Sequence, residues 1–362
     1  MKVLCAEPYY PRSEPPIGLM KLATFHKENG NEIRAIRGTD PFGAVLGSWA
    51  PDQIDITTPI FSWYTAEGVE TVRFYRERFP NAYIRVGGVK ATDTPEVYDI
   101  DGIELVRGVD PIVDEYAPDY ELFGVKHSIV YTMRGCKMKC GFCRVWRGFG
   151  KDGKPLSVPY PLMNWRSHFR KEATKATIQD DNIVALGTEH LREVVRFLQP
   201  LKLTETDINS GFETHQFTEE HAEVLSGIKR MLRPVRTAFD ELKEETEAVR
   251  TIGLIRKHIQ PDERKIICYC LFNYLETPEE CLYRANRIIE AGASPYVMAF
   301  VPNTWTKGDL RRGQAWISEK YGWTLPKAKA FKRFFDRWWI WRSVLKNNGK
   351  ITERDIYGGI AA

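Results

Sequence analysis

MRGCKMKCGFCRVW, Met133 to Trp146, gathers three of the chain's seven cysteines into eight positions. Three residues separate Cys136 from Cys140, and two separate Cys140 from Cys143. Three thiolates on one loop suit a soft metal centre. A structural zinc site wants four protein ligands, and zinc modules usually show the C-x2-C pair twice. No second pair of that spacing follows here. A cubane iron–sulfur cluster usually takes four cysteines, so three leave one iron open to a substrate or cofactor. Zinc with a remote fourth ligand and unliganded core thiols stand as alternatives, and the ligand count favours the cluster.

Around this loop, short apolar strands alternate with amphipathic helices, the pattern of a parallel sheet. HSIVYTMRGC predicts the strand that delivers the loop. ATIQDDN, LTETDINSGFE, PVRTAFD, KIICYCLFNY and SPYVMAFVP predict five more, with helices between them. Six strand–helix units fit a partial α/β barrel better than a full barrel of eight. Active sites of such barrels lie at the carboxyl ends of the strands. Cys136, Asp180, Asp181, Asn209, Glu213 and Asp240 all fall at or just after those ends, which points to one site at the barrel mouth.

Upstream, KVLCAEP, NEIRAIRG, PDQIDITTPIF, AYIRVGG and GIELVRG predict five strands, with helices at PIGLMKLATFHKENG and TAEGVETVRFYRERFP. This is a Rossmann-like, doubly wound domain, whose ligands sit at strand carboxyl ends. Gly87 and Gly88 close the fourth strand, where absent side chains let a ligand approach; a tight turn would use the same pair. GTDPFGAVLGSWAPDQ, between the second and third strands, is too short and too rich in Gly and Pro for a full crossover helix.

Composition narrows the class. Of 362 residues 43% are hydrophobic, ample for two packed domains. The net charge of +4 is too small to imply nucleic acid by itself. No apolar run reaches the ~18 residues of a membrane helix, and MKVLCAEPYY lacks the apolar core of a secretory signal. A cytoplasmic protein with reduced thiols is expected.

The C-x3-C-x2-C spacing, with Phe142 before its last cysteine, resembles the signature of the radical S-adenosylmethionine (SAM) superfamily. The six-unit partial barrel is that family's fold, with the loop after the first barrel strand. The resemblance implies a [4Fe–4S] cluster on Cys136, Cys140 and Cys143, whose open iron chelates the amino and carboxylate groups of SAM. One electron then cleaves SAM to methionine and a 5′-deoxyadenosyl radical, which abstracts hydrogen from the substrate. An external electron donor such as flavodoxin or ferredoxin is implied. PPIGLMKLATFHKENG, RVGGVKATDTPEVY and IELVRGVDPIVDEY are similar to the subgroup with an N-terminal cobalamin-binding domain. Later, IQDDN, RTAFDE, CLFNYLETPEE and AFVPNTW occupy the places of that subgroup's strand-end motifs. The D-x-H-x-x-G element that gives cobalt a histidine is absent, and His26 lies too far along the first helix. NYLETPEE also departs from the more usual glycine-rich turn after the fifth strand.

The resemblance also assigns cofactor contacts. Phe142 packs on the adenine of SAM or fills the barrel mouth. Asp180 or Asp181 meets the SAM amino group or caps the next helix. Asn209, Ser210 and Glu213 face the ribose or carboxylate, and Asp240 closes the fourth barrel strand or caps the helix after it. Cys268 and Cys270 share one face of a strand and, with Cys281, read as buried apolar residues rather than an auxiliary cluster.

KAKAFKRFFDRWWIWRSVLKNNGK, Lys327 to Lys350, predicts one helix with Phe331, Phe334, Phe335, Trp338, Trp341 and Leu345 as an apolar stripe. It holds eight basic residues and one acidic. A helix packed on the barrel with a solvated basic face accounts for it, while a lid or a surface for an anionic substrate is the alternative. Aromatics interleaved with basic residues would also suit single-stranded nucleic acid, but the stripe is more economically a core; a membrane is not an expected partner.

The expected organisation is therefore a cobalamin-binding-like Rossmann domain over residues 1–122, a radical SAM partial barrel over 123–305 and a C-terminal helical extension over 306–362. The expected function is radical modification of an unactivated carbon of an unknown substrate, by methylation if cobalamin binds. A cobalamin-independent radical enzyme and a non-enzymatic iron–sulfur or zinc protein are the alternatives.

Overall fold

The computed structural model describes residues 1–11, 15–301 and 317–358. The last residues of AFVPNTW and the 305/306 boundary lie outside them. Two compact units divide the chain. One comprises Met1–Ala173, and the other runs from Thr174 to Val301 and resumes for the C-terminal helices.

The first unit is built on strands β1 (Lys2–Glu7), β2 (Glu32–Arg37), β3 (Gln53–Thr57), β4 (Tyr83–Gly87) and β5 (Ile103–Leu105). They are all parallel and lie in the order β2-β1-β3-β4-β5. Val3, Leu4, Cys5 and Ala6 are all fully buried, because a central parallel strand is covered on both faces. Leu4, Ile54, Ile84, Val86 and Tyr75 fill one side of the sheet; Cys5, Leu19 and Ala23 pack on the other. Helix α1 (Ile17–Glu28) links β1 to β2, and α2 (Thr65–Arg78) links β3 to β4. No helix joins β2 to β3, as the Gly- and Pro-rich stretch predicts. The chain reverses its direction of winding between β1 and β3, the switch point at which such sheets open a ligand crevice. A short helix α3 (Val89–Asp93) follows β4. The same unit holds β6 (Ser128–Val130) and a hairpin of β7 (Met133–Arg134) with β8 (Tyr160–Pro161), between which lies α4 (Val145–Gly148).

The second unit arranges five parallel strands in chain order: β9 (Lys175–Ile178), β10 (Glu205–Ile208), β11 (Val235–Ala238), β12 (Ile266–Phe272) and β13 (Ser294–Ala299). Single parallel bridges, Thr206 to Leu232 and Phe212 to Thr237, join the β10 and β11 segments. The connections are α5 (Gly187–Leu198), α6 (Glu219–Ser226), α7 (Glu245–His258) and α8 (Pro278–Ala291). Helix α8 shows why these segments start and stop where they do. Thr277 and Glu280 form a capping box, Pro278 opens the first turn, and Gly292 at φ 90° ends the helix.

The predicted single helix over Lys327–Lys350 is two. Helix α9 (Leu325–Asp336) and α10 (Trp338–Asn348) meet at Arg337, whose φ of −102° and ψ of 77° leave the helical region. A final turn, α11 (Glu353–Tyr357), follows. A straight helix would present one stripe. The break instead buries Phe331, Phe334, Phe335 and Trp341 and leaves Trp338 56% exposed, so Trp338 is not part of the core.

Candidate functional site

The cysteine loop is held by its own hairpin. Met133 pairs with Pro161 and Arg134 with Tyr160 across β7 and β8. Gly135 follows at φ 90°, where an added Cβ would stand 2.6 Å from the Val158 carbonyl oxygen, so only glycine lets the chain turn there. The Cys136 amide donates to Leu156 O at 3.1 Å, and the Cys143 amide to Cys140 O at 3.0 Å. Trp146 Nε1 donates to the same Cys140 carbonyl at 2.7 Å. Cys136 is buried, and Cys140, Phe142 and Cys143 are half-buried. No cysteine forms a disulfide. Three thiols thus ride on a loop whose backbone is tied at both ends, a donor set for a soft metal rather than for calcium or magnesium.

Fixed charges flank the loop. Arg134 donates from Nε and Nη2 to both oxygens of Asp114, which also accepts from Lys21 Nζ at 2.7 Å. All three are nearly fully buried. Burial opposes ionisation of Asp114, but the Arg134 guanidinium and the Lys21 ammonium hold its carboxyl well below the usual range. On the far side of the loop, Arg144 pairs with Asp93 of α3 at 3.2 Å. Burial and the neighbouring Arg144 charge pull the Lys90 ammonium down to about 8.

A cavity of about 210 Å³ opens at the carboxyl ends of β3 and β4, entirely within the first unit. Leu19, Leu22, Ile56, Val106 and Val109 give it apolar walls, and Gly87, Gly88 and Gly108 its backbone rim. A Cβ on Gly88, at φ 101°, would meet Thr58 Oγ1 at 2.9 Å. Most of its charged lining is committed to ion pairs, and Asp110 accepts from the Ile112 and Val113 amides. Arg85 binds Asp55 at 2.8 Å, and Arg134 and Asp114 belong to the triad above. His26 is not in the lining; it is buried and holds Asp55 at 2.7 Å.

The remaining residues singled out from the sequence stand at strand ends of the second unit, as their positions predict. Asp180 follows β9 and is fully buried, with Asp181 half-buried beside it. Neither caps the next helix, whose N-cap is Leu186 with no side-chain bond. Asn209 and Ser210 follow β10 and are exposed. Glu213 turns its carboxylate to local use, accepting from the His215 and Gln216 amides at 3.0 Å each. Asp240, after β11, accepts from the Leu271 amide at 2.8 Å and so ties β11 to β12; Glu241, not Asp240, is the N-cap that follows. Burial pushes the Asp240 carboxyl up to about 7 against the pull of Arg284.

Arg284, on α8, was invisible to motif reasoning. It is 1% exposed and donates to Phe239 O, Leu271 O and Glu276 Oε2 at 2.5–2.6 Å. Cys270 Sγ and Cys281 Sγ lie 3.0 and 3.4 Å from its guanidinium. Those cysteines therefore pack against a structural cation. Lys21, Asp114 and Arg134 carry no motif signal either, although Arg134 stands just ahead of the cysteines, one residue before the glycine that precedes Cys136.

No family model and no curated protein matches the chain. Among solved structures it is similar to the cobalamin-dependent S-adenosylmethionine radical enzyme OxsB with aqua-cobalamin bound. The two chains share a fold. The TM-score is 0.57 at 13% identity, over 82% of this chain and 53% of that one, so this chain spans about half the length of that enzyme. Among the described residues no helix is long and apolar enough to cross a membrane.

Proposed function

We propose that the protein is a radical SAM enzyme. The observation that carries the reading is the hairpin-borne loop of Cys136, Cys140 and Cys143, in a chain whose fold is shared with such an enzyme. The three thiols fit a [4Fe–4S] cluster with one iron left open, and the buried Cys136 and half-buried Cys140 and Cys143 suit a centre only partly screened from water. When bound, cluster and SAM together supply a one-electron cleavage that yields a carbon-centred radical. The chain's own part is positioning. Gly135 sets the turn, Cys140 O is pinned by Trp146, and the Asp114–Arg134 pair fixes the strand that enters the loop. Asp180 or Asp181 is assigned to the SAM amino group, Phe142 to its adenine and Asn209 and Ser210 to its ribose. Glu213 and Asp240 act through the backbone they hold. The division into a Rossmann domain, a six-stranded partial barrel and a helical extension belongs to this reading, as does a flavodoxin- or ferredoxin-like donor.

The cavity of the first unit favours cobalamin as a further cofactor. Its volume is below the ~300–1,000 Å³ of a drug-sized pocket, so it suits one compact flat group. Apolar walls and a glycine rim fit the nucleotide base of the cobalamin tail. Gly87, Gly88 and Thr57 would hold it, with no histidine in the lining to reach cobalt. Methylation of an unactivated carbon is the reaction this reading assigns.

Anaerobic reconstitution with iron and sulfide, followed by reduction in the presence of SAM, tests the enzyme reading. About four irons per chain and release of 5′-deoxyadenosine are expected. Full iron content in a variant with all three cysteines changed to alanine would remove its basis.

A further inference from the structure

Positive charge gathers in two stretches of the sequence, residues 126–175 around the cysteine loop and residues 327–350 at the C-terminal helices. Lys327 to Lys350 carries eight basic residues and one acidic, a net of +7, so the rest of the chain carries −3 against the total of +4. Exposed aromatic side chains mark the same part of the second unit. Tyr296 of β13 is 48% exposed, Trp338 56% and Trp339 58%. The buried stripe needs Phe331, Phe334, Phe335 and Trp341; it does not account for these three.

Two of them, Tyr296 and Trp338, line a groove of about 450 Å³, together with Ser294 of β13, Phe335 of α9 and Trp341 and Arg342 of α10. Two cations are aimed at rings that line it. The Arg342 guanidinium lies 5.6 Å from the Trp338 ring centre and 5.1 Å from that of Trp341. Lys332 Nζ lies 5.7 Å from the Tyr296 centre. Acidic partners are present: Glu263 meets Arg342 at 3.2 Å, Asp336 pairs with Lys332, and Asp262 with Arg264. They orient these three cations, while Lys329, Arg333, Arg337 and Lys346 are exposed on or between α9 and α10, the helices that give the groove Phe335, Trp338 and Arg342.

We infer that this groove binds single-stranded nucleic acid, one base entering between Tyr296 and Trp338 while the flanking basic residues follow the phosphates. Stacking on an aromatic ring and a cationic track along the backbone are the two elements of such binding. A recess with ring-lined walls admits a splayed base. A flat membrane surface or the face of an acidic protein would use the charge and leave the recess unfilled.

The test uses the full-length protein and a fluorescently labelled 12-nucleotide uridine oligomer, read by anisotropy. Saturable binding is expected, weakened about tenfold or more by Trp338→Ala, as loss of one stacked base implies. Arg337→Gln with Lys346→Gln should reduce the slope of log affinity against log salt by about 0.7 for each phosphate no longer neutralised. Unchanged circular dichroism and melting temperature verify that the variants fold; all three residues are exposed. No binding of the oligomer overturns the inference. So does binding that Trp338→Ala leaves intact and tripolyphosphate abolishes, since that is charge alone. Binding only to phosphatidylglycerol vesicles, or only to an acidic flavodoxin, overturns it equally.

Discussion

Arg134 donates to both carboxylate oxygens of Asp114, from Nε at 2.7 Å and Nη2 at 2.9 Å, and stands two residues before Cys136. Lys21 of α1 donates to the same carboxylate. The strand that delivers the first thiol is thereby anchored in the interior of the N-terminal unit by a buried carboxylate shared between two cations. Such an arrangement is stable only with all its members, because each charge left alone in the interior is costly.

Asp114→Asn should therefore destabilise the protein by about 3–5 kcal/mol, the usual cost of breaking a buried pair. Thermal melting of apoprotein measures it. Iron uptake on reconstitution should fall as well, since the loop loses its anchor. Unaltered melting and unaltered iron would show the triad to be dispensable.

The same carboxyl sets an acid limit. Its pKa in the folded state is depressed below the ~3.9 of an unfolded aspartate. Its contribution is thus complete above about pH 4 and is lost as the pH falls from there toward the folded value. Melting temperature followed from pH 6 to 3 should drop more steeply in the parent protein than in Asp114→Asn. Parallel curves would contradict the assignment.

Gly88→Val should abolish corrinoid retention. A side chain at φ 101°, starting 2.9 Å from Thr58 Oγ1, strains the backbone at the rim of the cavity and narrows it. Strain of this kind costs about 1–3 kcal/mol. Dialysis against hydroxocobalamin and desalting, with a melting curve as control, measures both effects. Retention near one corrinoid per chain in the parent, absent in the variant, is the expected result.

Asp180→Asn and Asp181→Asn address SAM. Hydrogen bonds to a charged group contribute about 1.5–3 kcal/mol, so the variant that removes this bond should bind SAM about ten- to a hundredfold more weakly by calorimetry. If both variants bind as the parent does, the pair is structural.

Cys270→Ala and Cys281→Ala should keep the full iron content, because both sulfurs rest against the Arg284 guanidinium. Arg284→Met should instead lower the melting temperature sharply. It leaves Glu276 and two strand-end carbonyls without their partner, a loss on the order of 3–5 kcal/mol. Iron analysis and melting curves on the three variants separate the two roles.

Local periodicity and local chemistry were legible in the sequence. The strand–helix alternation located the parallel strands of both units, because each element must show an apolar face at its own period. The missing helix between β2 and β3 was legible in the glycines and prolines of residues 38–52, and the cysteine loop in its spacing. Only the tertiary structure decided what distant residues do to one another. Lys21 and Asp114 are 93 residues apart in sequence, and Asp240 reaches the Leu271 amide across 31; no periodicity records such pairs. It also decided the fate of the C-terminal stripe. A sequence read at helical spacing places Trp338 with Phe331 and Trp341, but the break at Arg337 turns Trp338 outward. The stripe's period is a property of a straight helix, and the chain bends there to bury aromatics from two directions.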